Sequence, residues 1–310
     1  MSTHNKTLAG VYPVFHTPYH ADETIDYATL SKQFDYLLNH SVDGVVMAMV
    51  SETLRLSESE RKQLAEATCQ SMRGRGGVII SVGAESSRMA ADYAKHAERS
   101  GADALMAIPP VATNATQSQV MDYFARLFDA VSIPIVVQDA SAYVGNALSI
   151  DLYIEMLDRY GDRVYFKPEA SPIGPRLSAL RDASGGRARV FEGTGGLALL
   201  DSCRRGIVGT MPGADLIDLI VALWNAMKRG DDETAYRIHG VLCPIVVLQN
   251  SLDAFLSIEK HLLVRRGIFT NTLVRGPVGF VLDRETRDEI DRLFDRGQKL
   301  LTELKQPITK

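Results

Sequence analysis

The chain has 310 residues, a formal net charge of −4, 45% hydrophobic residues and 23% charged residues. That composition is ordinary for a water-soluble globular protein with a large core, and with no basic run it gives no reason to expect a nucleic-acid partner. The apolar stretches are strand-sized, which argues against a membrane span, and MSTHNKTLAG lacks the apolar segment of a secretion signal. Three widely spaced cysteines, Cys69, Cys203 and Cys243, with no CxxC, read as reduced thiols of a cytoplasmic protein.

In chain order, short and nearly continuous apolar runs recur: GVYPVF (10–15), GVVMAM (44–49), VIISVG (78–83), ADALMAIP (102–109), IPIVVQDA (133–140), VYFKP (164–168), ARVFEGT (188–194) and GIVGTM (206–211). Continuous rather than alternating apolarity predicts parallel strands covered on both faces. Helical spacing fills most of the gaps, at 27–40, 57–72, 86–99, 117–131, 150–160 and 197–203, and Ser57 with Glu60 forms a capping box. Eight strands alternating with helices predict an α/β fold of the (β/α)8 TIM-barrel type with a C-terminal helical extension. The expected division is 1–225 for the barrel carrying the active site and 226–310 for a helical subdomain. An open doubly wound sheet is the alternative, but no GxGxxG follows the first strand.

Barrel enzymes place their chemistry at the carboxyl ends of the strands. In VYFKPEAS (164–171), Pro168 marks the top of the strand, and alternation puts Tyr165, Lys167 and Glu169 on one face. An ammonium and a carboxylate at the barrel mouth suit imine chemistry, in which the amine attacks a ketone and the carboxylate moves protons. The same pair also fits an ion pair that rigidifies the barrel top.

GVYPVFHTPY, DGVVMAMVSETLRLSESER, GADALMAIPP, PIVVQDA and FKPEA resemble the dihydrodipicolinate synthase / N-acetylneuraminate lyase family of lysine-dependent barrel enzymes, along nearly the whole chain. The resemblance implies an imine between Lys167 and a 2-keto acid, no cofactor beyond that covalent imine, and a homotetramer. The family motif that holds the keto-acid carboxylate is replaced here by AMVSET, which points to Ser51 and the Met49–Val50 backbone, with a turn-capping role as the alternative for Ser51. Glu52 keeps its family position, where a loop-fixing role is expected. The proton-shuttling tyrosine of strand five is replaced by Gln138, which does not titrate; Tyr143 in the following loop is a candidate to approach the site. The loop arginine that grips a second carboxylate is not evident in SAYVGNALS.

VQDA together with F-K-x-E is similar to the L-2-keto-3-deoxyarabonate dehydratase subgroup, of pentose catabolism. That resemblance implies loss of water from a small 2-keto-3-deoxy acid, with Glu169 as base and then acid. Gly193, Thr194 and Gly195, with Thr210 and Gly213, are expected near the substrate's hydroxyl tail, although the glycines also fit simple turns. An aldolase releasing pyruvate and a non-catalytic keto-acid-binding barrel remain alternatives. No metal is expected, and the histidines, such as His16 and His20, read as surface or loop residues.

Overall fold

The computed structural model describes residues 7–305. Eight parallel strands close a ring: β1 (Gly10–Val11), β2 (Gly44–Met47), β3 (Gly77–Ser81), β4 (Ala104–Ala107), β5 (Ile135–Asp139), β6 (Val164–Pro168), β7 (Phe191–Glu192) and β8 (Gly209–Thr210). Hydrogen-bonded pairing gives two arcs, β2-β3-β4-β5-β6 and β1-β8-β7. Single bridges Val14↔Val46 and Phe166↔Val190 join the arcs and complete the barrel.

All eight apolar runs therefore become strands, but the first, seventh and eighth are much shorter than their apolar stretches. Pro13 cannot donate to a ladder, and the seventh and eighth runs pass quickly into glycine-bearing loops.

The helices are α1 (Tyr27–Asn39), α2 (Glu58–Met72), α3 (Ser87–Ser100), α4 (Gln117–Ala130), α5 (Ile150–Tyr160), α6 (Ile173–Ala183), α7 (Leu199–Arg204), α8 (Ile217–Arg229), α9 (Asp232–Leu248), α10 (Leu252–Arg265) and α11 (Arg284–Lys305). The Ser57–Glu60 capping box closes at the start of α2, as its spacing predicts. Helix α6 has no counterpart among the expected helices. Gly174 and Pro175 hide it, yet both lie in its first turn, where a missing N–H costs nothing. Position 225/226, the expected boundary, falls inside α8.

Alternation sorts the side chains into two cores. Tyr12, Val46, Ile79, Met106, Val136 and Tyr165 fill the barrel interior, whereas Val45, Met47, Val137, Val164 and Phe166 pack outward against the helices. Among the described residues, no helix is long and apolar enough to cross a membrane.

Candidate active site

Strand β6 puts Tyr165 inside the barrel, so Lys167, two residues on, also points inward, at the carboxyl end. In the β5–β6 register Gln138 sits directly beside Lys167. The Glu169 N–H bonds to the Asp139 carbonyl at 2.9 Å, which extends the pairing past Pro168 and keeps Glu169 in line. Lys167 Nζ donates to Glu169 Oε1 at 2.9 Å, and Gln138 Nε2 donates to Glu169 Oε2 at 2.6 Å. The three side chains are 4%, 2% and 3% exposed for Lys167, Glu169 and Gln138. Burial pushes the Glu169 carboxyl above its usual range, while the adjacent Lys167 pulls the other way.

These groups open onto a cavity also lined by Met49, Val50, Gly193 and Gly195. Gly193 is required by packing. A Cβ there would lie 2.6 Å from Lys167 Cε and 2.7 Å from Glu169 Oε1. Gly193→Ala is therefore expected to push the amine out of position and slow the reaction about a hundredfold, the cost of an ångström-scale misplacement. Turnover of the folded variant, with a melting curve alongside, checks this; a wild-type rate would show that the amine tolerates displacement.

Three other expected contacts are not at the cavity. Ser51 is wholly buried: its hydroxyl donates to the Phe15 carbonyl at 2.5 Å and accepts from Ala48 N–H at 3.1 Å. That is the turn-capping alternative, and it leaves no hydroxyl for a ligand. Thr194 and Thr210 turn instead to a buried carboxylate, Glu192. The Thr194 hydroxyl donates to Glu192 Oε1, and Thr210 donates to Oε2 at 2.7 Å. Tyr143 does line the cavity. Its loop is closed by Asp139, which accepts from Ser141 N–H at 3.1 Å and Leu148 N–H at 2.9 Å, and its ring packs edge-on to Phe255. Burial first, then Glu169, raises the Tyr143 phenol, so it stays protonated.

The far wall comes from the C-terminal helices, outside the region expected to carry the site. Leu252, Phe255 and Glu259 of α10 face the cavity. Behind them, Lys260 and Glu52 form a buried ion pair, with Lys260 also donating to the Leu273 carbonyl at 2.6 Å and Glu52 accepting from Arg275 N–H at 3.1 Å. Glu52 thus fixes the turn after β2 to α10. Removing one member strands a buried charge, so Glu52→Leu is expected to cost about 3–5 kcal/mol. A denaturant midpoint equal to that of the wild type would contradict this.

His16 lies in the loop after β1, within the surface-or-loop reading of the histidines, but it is not at the surface: it is completely buried and its Nε2 lies 2.6 Å from Glu259 Oε2. His20 is exposed, as expected. Burial holds the His16 imidazole down to about 4 and pushes Glu259 up to about 8, so the contact is between neutral groups at pH 7. Asp215, buried beside them, is raised to about 7 by burial and then by Glu259. Among the described residues no cluster of His, Cys, Asp or Glu is arranged to hold a metal.

The family model described as "Dihydrodipicolinate synthetase family" matches residues 7–296. The chain belongs to that family. Among its curated relatives is an L-2-keto-3-deoxyarabonate dehydratase of Azospirillum brasilense, 27% identical over 286 residues, covering 91% of this chain and 92% of that one. Another is a probable 2-dehydro-3-deoxy-D-pentonate aldolase of Escherichia coli, 23% identical over 293 residues, covering 93% and 97%. The dihydrodipicolinate synthase structure from Rhodopseudomonas palustris superposes with a TM-score of 0.84 at 25% identity, over 94% of this chain and 98% of that one. The barrel is thus the family fold, and the chain is an enzyme of a family of imine-forming lyases and dehydratases.

Proposed function

We propose that this family member is a lysine Schiff-base dehydratase of a 2-keto-3-deoxy sugar acid, converting L-2-keto-3-deoxyarabonate to 2-oxoglutarate semialdehyde and water. One observation carries the reading: beside the amine, where a titrating group would serve a retro-aldol cleavage, stands Gln138, and it holds the buried Glu169 carboxylate in place. The dehydratase relative supports the same substrate class.

Lys167 attacks the C2 ketone in its unprotonated form and expels water to give an imine. The protonated imine draws electrons from C3, and Glu169, already 2.9 Å from Nζ, takes the C3 proton. The resulting enamine expels the C4 hydroxyl, which takes up a proton as the C4–O bond breaks and leaves as water. Tautomerisation and hydrolysis then release the semialdehyde and free Lys167.

The substrate carboxylate is assigned to the backbone of the short 3₁₀ turn Met49–Ser51, whose first N–H groups have no acceptor within the turn. Among the described residues lining the cavity, Lys167 is the only cationic side chain, which favours a substrate with a single carboxylate.

A panel of 2-keto-3-deoxy acids, assayed by coupled oxidation of the semialdehyde, tests the proposal. Formation of 2-oxoglutarate semialdehyde is expected. Release of pyruvate would make the enzyme an aldolase, and imine trapping by borohydride without turnover of any sugar acid would make it a binding barrel.

A further inference from the structure

We propose that Glu259 is a second catalytic acid of this cavity, supplying the proton with which the C4 hydroxyl departs. The inference rests on the dehydratase reading above and adds the residue at the leaving-group end.

An elimination of this kind needs a proton removed at C3 and another delivered to the oxygen on C4. Glu169 is held at the imine end by both oxygens, one to Lys167 and one to Gln138. Glu259 stands on a different wall, carried by α10 to the mouth of β8 and β1, where Gly213 leaves it room: any Cβ at 213 would collide with its carboxylate. It is 2% exposed, yet its Oε2 meets no partner in hydrogen-bonding geometry, and neither do the two ring nitrogens of His16 beside it. An uncompensated polar pair of that kind is costly in a core, and here Glu259 lines the same cavity as Lys167 and Glu169.

The surroundings favour the protonated carboxyl at neutral pH. The groups facing it are His16 from the β1 end, Asp215 from the β8 end and Tyr143 across the cavity, with the mutually paired Lys260 and Glu52 behind. None is a free cation that would hold Glu259 ionised.

In the proposed step the enamine nitrogen lone pair re-forms the iminium, the C2=C3 electrons become C3=C4, and the C4–O bonding pair leaves with the oxygen. That oxygen takes the Glu259 proton and departs as water. The new carboxylate, its Oε2 2.6 Å from His16 Nε2, regains a proton from solvent as the product leaves. The proton held by Glu169 returns to solvent during imine hydrolysis, so nothing but water is produced or consumed.

The test compares 2-keto-3-deoxyarabonate with its 4-deoxy-4-fluoro analogue, because fluoride leaves without being protonated. Wild type, Glu259→Gln and Glu259→Asp are assayed for borohydride trapping, C3 deuterium exchange in D2O, water release and fluoride release. In Glu259→Gln, trapping, exchange and fluoride release are expected near wild type, with water release down about 10²–10⁴-fold. Glu259→Asp, its carboxyl set back by one methylene, is expected to lower the water-to-fluoride ratio less. That ratio does not depend on the fraction of enzyme folded, so an unchanged ratio in both variants overturns the role. Equal loss of exchange and of both eliminations in Glu259→Gln also overturns it, by showing structural damage. Pyruvate rather than water from the wild type sinks the dehydratase reading itself, and this role with it.

Discussion

Lys167→Met is expected to abolish turnover and every trace of borohydride-trapped adduct. The loss should be the largest of any single substitution, because it removes the electron sink rather than tuning it. Without the iminium, C3 is an ordinary carbon beside a ketone, and no neighbouring carboxylate compensates. Methionine fills a similar slot without the charge, so the barrel top should keep its packing, although Glu169 then loses its 2.9 Å partner and becomes easier to protonate. Mass spectrometry after incubation with pyruvate and borohydride gives the readout. An adduct on the variant would place the imine on another lysine, and Lys260, buried and already paired with Glu52, is the first to examine.

Glu169→Gln should separate the two halves of the reaction. Imine trapping persists, because the amine remains in the cavity. C3 exchange and turnover fall by about 10²–10⁴-fold, the usual worth of a positioned general base. The glutamine keeps one acceptor oxygen for Lys167, and Gln138 has to turn its amide so that its own oxygen accepts from the new NH2; the packing is kept while proton transfer is lost. Wild-type C3 exchange in this variant would hand the base role to another group, and Tyr143 is the titratable neighbour at the same end of the cavity.

Much of this site could be read from one strand. Period-two alternation puts Tyr165, Lys167 and Glu169 on one face, and Pro168 marks where the strand leaves the barrel. Glu192 carried the same signal, a charge closing the apolar run VFE, and it explains why the hydroxyls of Thr194 and Thr210 turn away from the cavity. Ser51 was ambiguous because a hydroxyl beside a turn serves a cap and a ligand equally well; what decides is the Phe15 carbonyl, brought close by the barrel and not by the local sequence. His16, Asp215 and Glu259 had no shared local signal. They lie in a β1 loop, a β8 loop and a late helix, and only closure of the ring brings them together. Helix α6 was missed for the opposite reason: a strong local signal, Gly-Pro, stood where it does no harm.

The Glu52–Lys260 pair also bears on the order in which the enzyme becomes competent. Synthesis proceeds from the N-terminus, so all eight strands, Lys167 and Glu169 leave the ribosome before α10 does. Lys167 therefore exists for a time beside an unfinished pocket. Docking of residues 252–275 closes the far wall and seats Lys260 on Glu52 in the same event. The pocket is then complete only once residues 252–275 have been translated and docked, and a copy stopped before them lacks that wall.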